Sequence, residues 1–256
     1  MSTPRRAAPP SPRDLHFWLG HLERHLAEAR RRDQPEDVHQ VRVAARRLRA
    51  TLELQGHAAL VGDLQALCRT LGPARDLHLA ARIPQLRAWA QARAAEARRT
   101  VLEVAASART RGLLEALRAL PAGPTAAGQR ELKRRTRAVR RALARWDGAA
   151  GADRVEATHP LRRQVRRLRY AREALGLPAE AVAGVQDALG GFCDLLALRR
   201  LLASWAQDTG ADAKGALARL DRALSEPPAP PPPPGSPARR PARSRGARRA
   251  PSPSAR

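Results

Sequence analysis

The feature that most constrains this chain is a stretch that it states twice. Residues 38–49 read Val38-His39-Gln40-Val41-Arg42-Val43-Ala44-Ala45-Arg46-Arg47-Leu48-Arg49, and residues 159–170 read His159-Pro160-Leu161-Arg162-Arg163-Gln164-Val165-Arg166-Arg167-Leu168-Arg169-Tyr170. His39, Arg42, Arg46, Arg47, Leu48 and Arg49 return as His159, Arg162, Arg166, Arg167, Leu168 and Arg169 at a constant shift of 120. A second motif follows each copy: Leu71-Gly72-Pro73-Ala74-Arg75-Asp76 returns as Leu189-Gly190-Gly191-Phe192-Cys193-Asp194 at a shift of 118. Two motifs repeated in one order at nearly one separation indicate an internal duplication.

On a helix of 3.6 residues per turn, positions 39, 42, 46 and 49 form one stripe about 80° wide and roughly 15 Å long. Val38, Val41, Ala45, Leu48 and Leu52 form an apolar stripe beside it, and Leu161, Val165 and Leu168 do the same for His159, Arg162, Arg166 and Arg169. Each copy is therefore expected to be a helix with a core face and a cationic border. Like charges at i, i+3 and i+4 repel by a few tenths of a kcal/mol per pair. A single such helix is what a solvated Arg-rich face would look like. Its recurrence, with the His kept, points instead to an anion.

Composition supports a helical chain and a polyanionic partner. The 256 residues are 43% apolar but only 3% aromatic, so the core must be built from Leu, Ala and Val, in one or two domains. Abundant Ala, Leu, Arg and Glu favour helices. The formal charge is +24, and of 48 basic residues only Lys133 and Lys214 are lysine. That balance implies nucleic acid, anionic lipid or inorganic polyphosphate as a partner, and the planar guanidinium suits phosphate. Cys68 and Cys193 are too few for a disulfide framework or metal site and read as small core residues in a reducing compartment. No uninterrupted apolar run approaches the length of a membrane span, and Met1 to Arg13 lacks an apolar signal core. The expected setting is cytoplasmic, without a membrane partner.

The chain divides readily. Residues 1–13 carry four Pro and three Arg and read as a disordered basic arm. A first helix is expected from Asp14, as N-cap, to about Arg32, and the motif helix from Glu36 to Gln55, stopped by Gly56. A shorter helix should cover Ala58 to Leu71, followed by a sharp turn at Gly72-Pro73. Ala74 to Leu120 reads as almost continuous helix, with Pro84 kinking or restarting it. Pro121 to Gly128 is the expected boundary between repeat one (14–120) and repeat two (129–225). The second half repeats the plan: helices over Gln129 to Trp146, Thr158 (as N-cap) to Leu175, Ala179 to Leu189, Phe192 to Gln207 and Ala213 to Leu224, with a loop from Gly148 to Asp153. Residues 227–256 hold eleven Pro, seven Arg and no acid, so 226–256 read as a disordered tail. Removing +7 for the tail and +3 for the arm from +24 leaves the folded part strongly basic, at +14.

The patterns of common catalytic sites do not occur. There is no nucleophile-elbow Ser, Walker loop, dinucleotide-binding Gly pattern or zinc-binding His/Cys spacing, so neither a cofactor nor a metal is expected. Asp76 and Asp194 each close a repeated motif and are expected to orient nearby Arg side chains or to cap a helix start. Arg47 and Arg167 are expected at the rim of the cationic stripes.

With these residues in view, the chain resembles the CHAD family, the conserved histidine α-helical domain. The resemblance rests on His-x-x-Arg-Val-x-x-Arg-Arg-Leu-Arg at 39–49, Leu-Gly-x-x-Arg-Asp at 71–76, His-x-Leu-Arg-x-x-x-Arg-Arg-Leu-Arg-Tyr at 159–170 with Glu173, and Gln186-Asp187-x-Leu189-Gly190-x-x-x-Asp194. It covers roughly residues 14–225. It implies an all-α fold of two pseudo-symmetric helical bundles facing each other across a basic cleft, and binding of inorganic polyphosphate, including association with polyphosphate granules. The residues of the repeated stripes expected to bind it are His39, Arg42, Arg46, Arg47, Arg49, His159, Arg162, Arg166, Arg167 and Arg169, with Arg75, Asp76, Asp194 and Tyr170 orienting them. Two departures stand out. Arg166 occupies a position where the family commonly has Lys, which keeps the charge, and Gly191 and Cys193 replace the usual Asp and Asn. The triphosphate-tunnel domain often fused upstream, with its Glu-x-Glu-x-Lys strand, is not expected in the thirteen residues before the first helix, so no enzyme activity is expected. Two alternatives remain open at this stage: a nonspecific nucleic-acid-binding protein using its Arg tail, and a polyphosphate or triphosphate hydrolase with a concealed site.

Overall fold

A computed structural model describes residues 14–121 and 127–225, with the side chain of Ala127 left out; the basic arm, the tail and most of the expected inter-repeat loop lie outside the described residues. The described residues are helical, with connecting turns and no strand. In chain order the helices are α1 (Leu15–Arg31), α2 (Pro35–Gln55), α3 (Ala58–Thr70), α4 (Gly72–Ala80), a 3-10 turn (Pro84–Leu86), α5 (Arg87–Ala106), α6 (Ala108–Arg118), α7 (Ala127–Asp147), α8 (Gly151–Ala174), α9 (Glu180–Ala188), α10 (Gly190–Thr209) and α11 (Lys214–Ser225).

Local chemistry explains most boundaries. Asp14 caps α1 as expected, its carboxylate accepting from the Phe17 amide at 2.9 Å. Pro35 opens α2, and Gly56 closes it in the left-handed region at φ 87°, where a side chain would be strained. Gly176 adopts φ 67° just beyond α8. The almost continuous helix expected from Ala74 to Leu120 is three helices and a 3-10 turn, with the restart at Pro84 among the expected outcomes and the break at Ser107 not. Pro84 starts the turn, and Ser107 breaks the remainder: its backbone is extended and its hydroxyl accepts from the Thr110 amide at 3.1 Å, capping α6.

Thr158 is not an N-cap. The loop before α8 is only residues 148–150, and α8 begins at Gly151, so Thr158 lies inside the helix and fully buried. Its hydroxyl donates to the Arg154 carbonyl at 2.8 Å and accepts from Trp146 Nε1 at 2.9 Å. A partner for a buried indole N–H is what the tertiary packing requires there. Pro160 is consequently interior, and the helix runs through it despite one missing backbone bond.

Three apolar clusters hold the helices. The first joins α1 to α6 around Leu22, Leu48, Leu52 and Leu64, all fully buried. The second packs Trp146, Leu161, Val165 and Leu189 from α7, α8 and the junction of α9 and α10. The third combines Ala80, Leu86, Trp89 and Ala90 from the first half with Leu202 and Ala213 from the second. The halves therefore share a core at one end, and Trp89 Nε1 donates across it to Asp208 at 3.0 Å. Elsewhere α2 packs on α1 and α3 and also on α7 and α8. The N-terminal turn of α2 is fixed by Asp37, 1% exposed, which accepts from Arg32 Nε at 3.0 Å and His25 Nδ1 at 3.1 Å.

By length and composition, Glu180–Thr209 is apolar enough to cross a membrane. Leu and Val supply most of that character, Asp187 and Asp194 interrupt it, and the segment is broken at Leu189 into α9 and α10.

Candidate functional site

The two motif helices lie side by side, and a narrow crevice between them is lined by Arg46, Arg49, Glu53, Arg166, Arg167 and Tyr170. Val41, Ala45 and Leu48 on α2, and Leu161, Val165 and Leu168 on α8, are buried. Their burial fixes the rotation of each helix and turns the neighbouring Arg border toward the other.

Burial and like charge act together in the crevice. The Arg166 guanidinium is pulled down to about 10 by burial and then by the nearby charges of Arg46, Arg162 and Arg49. Burial also lowers Arg42, with Arg46 adding to the effect, and lowers Arg49, with Arg167 adding to it. Among the described residues, Arg42, Arg46, Arg162, Arg166 and Arg167 have no carboxylate within ion-pair distance. The Nε atoms of Arg162 and Arg167 are buried without a partner. His39 and His159 are exposed at the start of each stripe. Their rings are nonetheless partly enclosed, and both are held below the usual histidine value, first by this partial desolvation, then by Arg46, Arg75 and Arg42 against an opposing Glu36 for His39, and by Arg163, Arg166, Arg200 and Arg162 for His159.

The second repeated motif has a geometric reason. Helices α3 and α4 abut at Leu71 and helices α9 and α10 at Leu189, both leucines buried and both near φ −81°. Each junction brings the next residue under an arginine of its own motif helix. A Cβ on Gly72 would lie 3.6 Å from Arg42 Nη1, and one on Gly190 would lie 4.0 Å from Arg162 Nη2. Arg42 also donates to the Cys68 carbonyl. Cys68 is half-buried rather than a full core residue, whereas Cys193 is buried and its thiol pushed up by that burial. Asp76 and Asp194 cap nothing: both follow the first turn of their helices. Asp76 accepts from Arg75 Nη1 at 3.1 Å, and Asp194 is exposed.

Other arginines of the stripes are already engaged. Arg47, expected at the rim, is instead a clamp, ion-paired with Glu173 and held between the rings of Trp18 and Tyr170. Glu173 also takes Arg169 Nε at 2.9 Å, and Glu53 pairs with Arg49 at 3.4 Å. Behind them sits Arg135 of α7, 4% exposed, which donates to Glu131 at 2.9 Å, to the Arg167 carbonyl at 2.9 Å and to Glu53. Neither Arg135 nor its acids belong to the repeated motifs, and nothing in their spacing marked them. No group of three or more His, Cys, Asp or Glu able to hold a metal occurs among the described residues.

Comparison of the sequence with those of curated proteins finds no match. Among solved structures, the CHAD domain from the plant Ricinus communis is 26% identical, covering 87% of this chain and 90% of that one at a TM-score of 0.65. PptA from Streptomyces chartreusis is 19% identical over 84% of this chain and 94% of its own, at a TM-score of 0.56, a likeness of fold alone. The CHAD domain family model matches residues 14–203, so the chain belongs to the CHAD domain family.

Proposed function

We propose that the chain binds inorganic polyphosphate in the crevice between α2 and α8, without turnover, in the cytoplasm and at polyphosphate granules. The observation that carries this reading is Arg166, a guanidinium pulled down to about 10 by burial and by arginines from both helices, with no carboxylate partner among the described residues. Such a cluster is destabilised by its own charge and is relieved by a polyanion. In this reading the two motifs descend from one duplicated unit and related bundles share a basic cleft. The paired approaches of Gly72 to Arg42 and Gly190 to Arg162 support it. Arg42, Arg46, Arg49, Arg162, Arg166 and Arg169 contact successive phosphates, His39 and His159 donate at each entrance, and affinity grows with chain length until both stripes are filled. Arg47 and Tyr170 set the spacing of the helices.

Competition among long polyphosphate, duplex DNA and single-stranded RNA at one physiological salt concentration tests the reading. Polyphosphate should displace any nucleic acid whose binding is lost in the Arg46→Ala, Arg166→Ala variant; nucleic acid held by those arginines that polyphosphate fails to displace would overturn it. Incubation with polyphosphate and magnesium should release no orthophosphate above the blank.

A further inference from the structure

Helix α7 carries a second cationic surface that the crevice does not use. Arg130, Lys133, Arg137, Arg140, Arg141 and Arg145 are all exposed, and none has a carboxylate within ion-pair distance among the described residues. The only acids of α7 are Glu131, occupied by Arg134 and Arg135, and Asp147 at its end. On the helical wheel Arg130, Lys133, Arg137, Arg140 and Arg141 lie opposite the buried Arg135, Ala142 and Trp146, which face α8 and α2, and Arg145 flanks them. From Arg130 to Arg145 the row is about 22 Å long on a rigid helix.

We infer that this face of α7 is a docking surface for the phosphate backbone of duplex nucleic acid, read without regard to sequence. Its chemistry differs from that of the crevice. The cations are solvated, so they act by releasing counterions rather than by desolvated contacts. No exposed aromatic residue accompanies them to stack on unpaired bases, which removes the main affinity of single strands. Among the described side chains of α7 no bulky apolar residue is exposed to enter a lipid interface. A flexible polyphosphate chain would lose conformational freedom for weak, screened contacts. A duplex presents its charges already fixed, at about one per 1.7 Å of axis. The inference does not depend on polyphosphate binding between α2 and α8.

The test uses the full chain with Arg137→Gln, Arg141→Gln and Arg145→Gln combined, since Gln keeps helix propensity near that of Arg. Affinity for a short mixed-sequence DNA duplex is measured across a salt series. The slope of log affinity against log salt should become shallower by about 2.7, and affinity at physiological salt should fall about tenfold or more. The corresponding triple Lys variant should retain the parent slope, because the effect counts charges. Arg46→Ala with Arg166→Ala should leave the DNA slope intact. An unchanged DNA slope in the folded Gln variant would overturn the inference. So would a loss confined to phosphatidylserine vesicles, or an equal loss for polyphosphate, since either would remove the preference for a duplex.

Discussion

Arg47 on α2 and Glu173 on α8 form an ion pair that joins the two helices carrying the repeated motif, with the guanidinium 4.4 Å from the Trp18 ring and 4.6 Å from the Tyr170 ring. Both side chains are mostly out of water, at 17% and 26% exposure. Removing the acid leaves Arg47 and Arg169 without their carboxylate in a region already rich in positive charge. Glu173→Ala is expected to lower unfolding stability by about 2 kcal/mol in denaturant titration. It should also weaken polyphosphate binding through loss of helix spacing, although it removes a negative charge. Tighter binding at unchanged stability would show that Glu173 only repels the ligand.

The buried Arg135 makes a sharper case. Its guanidinium bonds Glu131, Glu53 and the Arg167 carbonyl, so Arg135→Met leaves Glu131 to Arg134 alone, Glu53 to the longer contact with Arg49, and a carbonyl without its donor near the core. A loss of about 3 kcal/mol is expected from breaking a buried pair on one side. Adding Glu53→Gln should restore part of it, because the carboxylate left with only the 3.4 Å contact to Arg49 is then neutral. A double variant no more stable than Arg135→Met would show that packing of the long side chain, rather than charge, dominates.

Acid should weaken the free protein more than the complex. His39 and His159 sit below their usual value of about 6.5 in the folded chain, so the unfolded chain binds more protons. Their contribution to stability is complete above about pH 6.5 and declines as pH falls from there through the folded values. A bound polyanion offsets the arginine field and favours the imidazolium, so polyphosphate affinity should rise over the same interval. Thermal unfolding with and without polyphosphate from about pH 7.5 to 5.5 should show a ligand-induced shift that grows toward acid. Replacing both histidines by Ala should reduce that growth. An undiminished pH dependence would assign it to other groups.

Much of this was legible in the residues. The 3.6-residue period of Val41, Ala45 and Leu48 beside His39, Arg42, Arg46 and Arg49 gave the orientation of α2, and the copy at 159–170 gave that of α8, because in each the buried stripe leaves the arginines one place to go. The repeated Leu-Gly was visible but not its meaning. Only the packed helices show that the glycine lies beneath Arg42 or Arg162. Thr158 misled because Ser and Thr signal a helix start locally, while its hydroxyl answers an indole twelve residues away. Arg135 and Glu53 were unreadable for a similar reason: their pairing spans 82 residues and follows from how α7 leans on α2. Ser107 lies within a long Ala- and Arg-rich run whose average helix propensity hides one cap.

The central claim is that arginines from both motif helices act on one chain of phosphates, and Arg46 and Arg166 are the pair that meets in the crevice. Each charge-assisted contact in a partly desolvated cleft contributes roughly 1.5 to 3 kcal/mol, so losing two should weaken binding by about a hundredfold or more. The measurement is calorimetric titration of long polyphosphate into the Arg46→Ala, Arg166→Ala double variant at constant ionic strength, with helix content checked by circular dichroism. The expected result is that loss in a folded protein, larger than the loss from removing two arginines of the 227–256 tail. Parent-like affinity in the folded double variant would contradict the claim and make the repeated stripes structural.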